Sequence, residues 1–181
     1  MTERTEAVQT VFVDQADPLA APLLEELAIE YSTRYGRTRD EIYEDLSTYP
    51  AEEFAAPGGA LLVVVEDGTS VAGGAFRRYD DTTAELKRIW TSSAHHRRRG
   101  LGRIVLRELE AEIVRAGYSR IFLTTGPRQP EAVALYLAAG YTALFDRSLP
   151  PQDVGIHGFE KILHTATALP SDCAAKEYES V

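Results

Sequence analysis

The chain is poor in cysteine, methionine and tryptophan, with one of each in 181 residues. The single cysteine, Cys173, excludes an intrachain disulfide, and a reducing, cytoplasmic compartment is the expectation. Cys173 stands among Ala, Ser, Pro and Asp with no neighbouring histidine to activate it, which makes it a poor nucleophile. Long apolar runs are missing too. The run 60–65 stops at Glu66, far short of the ~20 residues that cross a bilayer. The first residues are polar and charged, unlike the apolar segment of a secretory signal. An excess of positive charge is also absent: 19 Lys and Arg face 28 Asp and Glu, for a formal charge of −9. That balance argues against general nucleic-acid binding, which needs a basic surface to displace counterions. Neither an internal repeat nor a low-complexity tract is present.

An ordinary apolar fraction of 44% allows one core, and at this length one domain. We place that domain at 8–164, followed by a mobile tail at 165–181. The stretch 85–103 organises the rest. It reads as a strand over 85–91, a basic turn, and a glycine-punctuated entry into a helix that Gly117 stops. Leu101, Val105, Leu109 and Ile113 recur every four residues with Ile104 beside them, the stripe of a helix lying on a core. The turn therefore delivers backbone N–H groups to a helix N-terminus, where they are unpaired and suited to phosphate. Gly100 and Gly102 keep side chains away from a bulky pyrophosphate. Arg97, Arg98, Arg99 and Arg103 surround it with charge, a local basic exception on an acidic chain.

Before that stretch, 11–13 reads as a short strand, Asp17-Pro18 opens a helix that Gly36 ends, and a second helix covers 40–46. Strands at 60–66 and 71–79 flank the Asp67-Gly68 hairpin turn. Gly73 and Gly74 in the second of these allow a bulge or the close approach of a neighbour. After the central helix come a strand at 120–125, a helix opened by Gln129-Pro130 and closed at Gly140, and strands at 141–145 and 158–163. A strand, a crossover helix and a strand form a parallel pair, so the sheet turns from antiparallel to parallel across the central helix.

Two motifs and this order of elements together resemble the GNAT superfamily of acetyl-CoA-dependent N-acetyltransferases. Arg97-x-x-Gly100-x-Gly102 looks like the superfamily's pyrophosphate loop. Ala132-Val133-Ala134-Leu135-Tyr136-Leu137-Ala138-Ala139-Gly140-Tyr141 is similar to its Ala-x-x-Leu-Tyr-x-x-x-Gly-Phe/Tyr helix. The likeness spans roughly 11–163 and is specific over 85–141. It departs at Thr91-Ser92-Ser93, where members often carry Val-x-Pro, and at Gln129, where they often carry Asn. The resemblance implies a single-domain mixed α/β fold of α+β type with acetyl-CoA in a cleft near Thr91 and Thr125. It would be held by Ile89, Trp90, Thr91, Arg97, Arg98, Arg99, Gly100, Leu101, Gly102, Arg103, Thr125, Gln129, Ala132 and Tyr136. No metal is implied.

Acetyl transfer from a thioester to an amine needs an unprotonated amine and a thiolate that can be protonated. Alkyl amines are mostly ammonium at neutral pH, so a carboxylate near the amine is the natural base, and the resemblance puts the strand carrying Glu85 beside the acetyl group. Tyr136 is the candidate acid, since a phenol at pKa about 10 can protonate a thiolate whose thiol lies near about 8.5. Glu85 as a surface ion pair and Tyr136 as a packed ring are the plain alternatives. Tyr31 and Tyr35 belong to a tyrosine-rich N-terminal region that offers an acceptor pocket, and Arg77 is a fork for an acceptor carboxylate. His95 and His96 lack the companions of a metal site, and His157 reads as a loop residue. The expected activity is direct transfer to a small primary amine in a ternary complex, with no nucleic-acid or membrane partner and room for a homodimer. A peptide amine acceptor and a non-catalytic CoA-binding module are the rivals.

Overall fold

The central helix forms where its stripe requires. Leu101, Val105, Leu109 and Ile113, joined by Leu106, are all buried along the helix Leu101–Arg115. Burying such side chains contributes about 1.5–3 kcal/mol each. They pack on Leu62, Val64, Phe76, Leu86, Ile121 and Leu123, one face of the sheet. The computed structural model describes residues 8–94 and 100–164. The expectations for His95, His96, Arg97, Arg98, Arg99, Cys173 and the tail at 165–181 lie outside the described residues.

The strands are β1 (Gln9–Phe12), β2 (Ala60–Glu66), β3 (Thr69–Arg78), β4 (Thr83–Thr91), β5 (Arg120–Thr125), β6 (Thr142–Ala143) and β7 (His157–Ile162). The helices are α1 (Ala21–Tyr35), α2 (Arg39–Thr48), α3 (Leu101–Arg115), α4 (Pro130–Ala138) and α5 (Pro151–Val154). The strands form one sheet in the order β1-β2-β3-β4-β5-β7-β6. Every pair is antiparallel except β4 with β5, which are joined through α3. This is one mixed α/β domain, with α3 on one face of the sheet and α1 and α2 on the other. Among the described residues no helix is long and apolar enough to cross a membrane, and no group of three potential metal ligands occurs.

Several boundaries move from the sequence reading. Asp17 caps a 3₁₀ turn, Pro18–Ala20, that runs directly into α1. The second helix starts one residue earlier than expected, where Thr38 and Glu41 form a reciprocal capping box, and runs on to Thr48. A 3₁₀ turn, Ala51–Phe54, was not legible and puts Phe54 into the core. The strand expected at 141–145 shrinks to β6, and His157 is no loop residue: it opens β7, buried, opposite Thr125.

Two irregularities shape the middle of the sheet. Strands β4 and β5 pair only from Thr83–Arg120 to Glu85–Phe122 and then diverge. Strand β4 also carries one residue more than β3 between the Gly73–Trp90 and Ala75–Lys87 pairs. That bulge falls at Arg88, whose φ of 58° is left-handed. The extra residue reverses the side-chain alternation. Leu86 joins the core with α3, whereas Trp90, four residues on, packs under α1 with Leu23, Leu24 and Leu27. Gly74 faces the bulge, where a Cβ would come within 2.6 Å of Ile89 Cδ1.

Candidate active site

The divergence of β4 and β5 opens a cleft of about 340 Å³. One wall comes from β5 and α4, with Thr124, Thr125, Gln129, Ala132 and Tyr136. The other comes from α1, α2 and the second 3₁₀ turn, with Tyr31, Asp45, Leu46, Tyr49 and Phe54. Leu86, Lys87, Arg88 and Ile89 of β4 lie between them.

Tyr136 is buried and lines this cleft. Its ring packs against Tyr141 and Phe159 at centroid distances of 5.6 and 5.5 Å. The hydroxyl has no hydrogen-bond partner among the described residues, an uncommon state for a buried phenol. Burial pushes its pKa up, with a smaller contribution from Tyr31. The group therefore stays protonated at neutral pH and is free to donate into the cleft.

Gln129 organises the turn beside it. Its Oε1 accepts from the Thr125 hydroxyl at 2.8 Å and from the Gly126 N–H at 3.2 Å. Because the Gly126 N–H can only donate, the amide orientation is fixed, and the Nε2 donors are left without a partner among the described residues. Ala132, one turn along α4, completes this wall.

The start of α3 fits an anion. Gly100 is the N-cap at φ 70°, a conformation that suits glycine, and provides no capping side chain for the first-turn N–H groups. Gly102 also has a packing reason. A Cβ there would meet Leu135 Cδ2 at 3.2 Å, so its bareness serves the approach of α3 to α4. Arg103 reaches the end of α4, where Nη2 donates to the Ala138 carbonyl at 3.1 Å, and Leu101 is buried in the core.

Of the other candidates from the sequence, some line the cleft and some sit away from it. Glu85 is buried and does not line it; Oε2 accepts from Arg77 Nε at 2.8 Å and Oε1 lies 3.0 Å from Lys87 Nζ. Arg77 is held by Glu85, by Glu53 at 2.9 Å and by the Tyr49 hydroxyl. Those partners push its pKa up and occupy its Nε and Nη1. The Trp90 side chain turns to α1, where Nε1 donates to Glu26 at 3.0 Å. Thr91 pairs with Ala72 at the end of β4, and Ile89 lines the cleft. Tyr31 lines it too, while the hydroxyl of Tyr35 occupies the place that a Cβ on Gly126 would take.

The model of the acetyltransferase (GNAT) family matches residues 21–141. The chain belongs to the GNAT acetyltransferase family. No curated protein matches it by sequence. Among solved structures it is similar to a GNAT-family acetyltransferase of Staphylococcus aureus, with 17% identity over 87% of this chain and 100% of that one at a TM-score of 0.68. It is also similar to the PaiA N-acetyltransferase of Thermoplasma acidophilum, solved with coenzyme A (14% identity, 86% and 99% covered, TM-score 0.66). A third likeness is to YncA of Salmonella typhimurium, solved with acetyl-CoA (22% identity, 92% and 99% covered, TM-score 0.64). These likenesses show the fold, and the family match makes the chain an acetyl-CoA-dependent acyltransferase.

On this GNAT frame, sequence reasoning missed Asp45, Leu46, Phe54, Lys87 and Arg88 as cleft residues. No local pattern marks them. They meet only when α2 and the second 3₁₀ turn fold over a bulged strand.

Proposed function

We propose that this acetyltransferase transfers acetyl to the primary amine of a small molecule, by direct attack of the amine with both substrates in the cleft between β4 and β5. The observation that carries it is the unpartnered Tyr136 hydroxyl inside that cleft. Acetyl-CoA, when bound, supplies the activated acetyl group and a thiol as leaving group. The first turn of α3 from Gly100, with the Arg97–Arg99 run, would hold its pyrophosphate, and Gln129 Nε2 and the Thr125 region its arm. Tyr136 keeps its proton and presents it at the hydroxyl to the departing sulfur.

Deprotonation of the amine falls to Glu85 through intervening water: its carboxylate does not line the cleft itself and is paired with Arg77 and with Lys87, which does. Asp45 lines the acceptor side, where it is paired with Arg37 at 2.7 Å. A small acceptor is favoured because that side is covered. Arg34 of α1 bonds the Arg128 carbonyl and Glu131, and Arg128 Nη1 returns a bond to the Arg34 carbonyl at 2.5 Å. This clamp fastens α1 across the loop between β5 and α4, whereas a peptide would need an open groove. Holding both reactants in one site supplies much of the rate.

Thiol release from acetyl-CoA, followed with a chromogenic reagent against amino acids, polyamines, aminoglycosides and N-terminal peptides, tests this. Acceptor-dependent release with a small amine is expected. Release with peptides alone, or tight acetyl-CoA binding without transfer to any amine, would overturn it.

A further inference from the structure

Arg88 differs from the other paired arginines of the protein. Arg34, Arg77 and Arg120 are partly exposed and each meets a carboxylate. Arg88 is the most buried, at 8% exposure, and among the described residues no carboxylate lies within ion-pairing distance. Its partners are neutral: Nη1 donates to Gln15 Oε1 at 2.6 Å and Nη2 to the Leu46 carbonyl at 2.7 Å. The guanidinium lies over Phe54, 4.6 Å from the ring centroid, and 5.6 Å from that of Tyr49. A buried cation with only neutral partners keeps an uncompensated charge. Burial lowers its pKa to about 10, which still leaves it charged at neutral pH.

The charge is also held in place. Gln15 is itself fixed, with Nε2 donating to the carbonyls of Ser47 at 3.1 Å and Tyr49 at 2.9 Å. The left-handed backbone at the bulge costs conformational energy and aims the side chain into the acceptor side of the cleft. A planar fork, immobilised, desolvated and lacking a counter-ion, matches a carboxylate. Building on the acetyl transfer described above, we propose that the acceptor is an amino-acid-like amine whose carboxylate binds Arg88. The expected fork Arg77 is already neutralised by Glu53 and Glu85, and Arg88 takes its place. The half-buried Tyr31, whose hydroxyl has no partner among the described residues, lines the same side and can donate to the same anion.

Matched acceptors test the assignment on the intact enzyme: methionine against 3-(methylthio)propylamine, phenylalanine against phenethylamine, and each amino acid against its amide. The carboxylated member should have a kcat/KM higher by about 100-fold or more, as expected where a buried charge is otherwise left without a counter-ion. Arg88→Met should abolish that preference, chiefly through the acceptor KM, and Arg88→Lys should retain part of it. Thermal melts separate a lost fold from a lost ligand, and the wild-type pairs decide even if a variant does not fold. Equal turnover within the pairs overturns the proposal and leaves amine acetylation standing. No acceptor-dependent thiol release from any pair overturns both.

Discussion

The two walls of the cleft were built by different kinds of sequence. The wall we assign to acetyl-CoA comes from one contiguous stretch, Thr124 to Tyr136, in which each lining group lies a few residues from the next. The acceptor side is assembled from Tyr31, Asp45, Leu46, Tyr49 and Phe54, with Arg88 beneath them, which come from four separate elements and the link after α2. A contiguous site is fixed by local geometry and can be read as a motif. A dispersed one exists only after the core has formed, so it varies freely and carries specificity.

If the walls are separate in function, substitutions should separate them in kinetics. The largest effect belongs to Tyr136→Phe. It should lower kcat by about 100-fold with little change in melting temperature, since the ring contacts with Tyr141 and Phe159 remain. A large drop in melting temperature with unchanged kcat would make Tyr136 a packing residue.

Gly59→Ala comes next, on the acceptor side. Its Cβ would meet the Phe76 carbonyl at 2.6 Å and collide with that of Glu53, in the turn that places Phe54 under Arg88. A loss of about 1–3 kcal/mol is expected, or about 2–4 °C per kcal/mol in a chain of this size. The acceptor KM should rise more than the acetyl-CoA KM. Gly100→Val should do the reverse, because a branched residue at φ 70° disturbs the start of α3. At roughly 1–2 kcal/mol for the left-handed strain, acetyl-CoA should bind about tenfold more weakly in calorimetry.

The smallest effect is electrostatic. Hydrogen bonds from Tyr49 and Arg77 hold the Glu53 carboxyl below its ordinary value. The unfolded chain, with a glutamate near about 4.3, then binds protons before the folded one does. The resulting stability is complete above that unfolded value and disappears as pH falls through the lower folded one. Glu53 is 41% exposed, so the contribution is under about 1 kcal/mol. Glu53→Gln should flatten the acid limb of a stability-against-pH curve; an unchanged limb would detach Glu53 from the support of this wall.

The fold was legible where periodicity and capping are local. The α3 stripe, the Asp67-Gly68 hairpin and the change to parallel pairing at β4 and β5 all follow from residues near one another in sequence. The bulge at Arg88 was not, because Leu86-Lys87-Arg88-Ile89-Trp90 contains no turn former and the extra residue is defined only by its register against Gly73 and Ala75. That one displacement sends Trp90 toward α1 and Arg88 toward the acceptor. The counter-ions of Glu85 and Arg77 were partly hidden for a related reason: cross-strand neighbours depend on register.

Initial-velocity kinetics with both substrates varied tests most directly the claim that the two walls serve one cleft. Double-reciprocal lines that intersect are predicted, because amine and acetyl-CoA must be bound together for direct transfer. Parallel lines, with an acetylated enzyme trapped in the absence of amine, would contradict it.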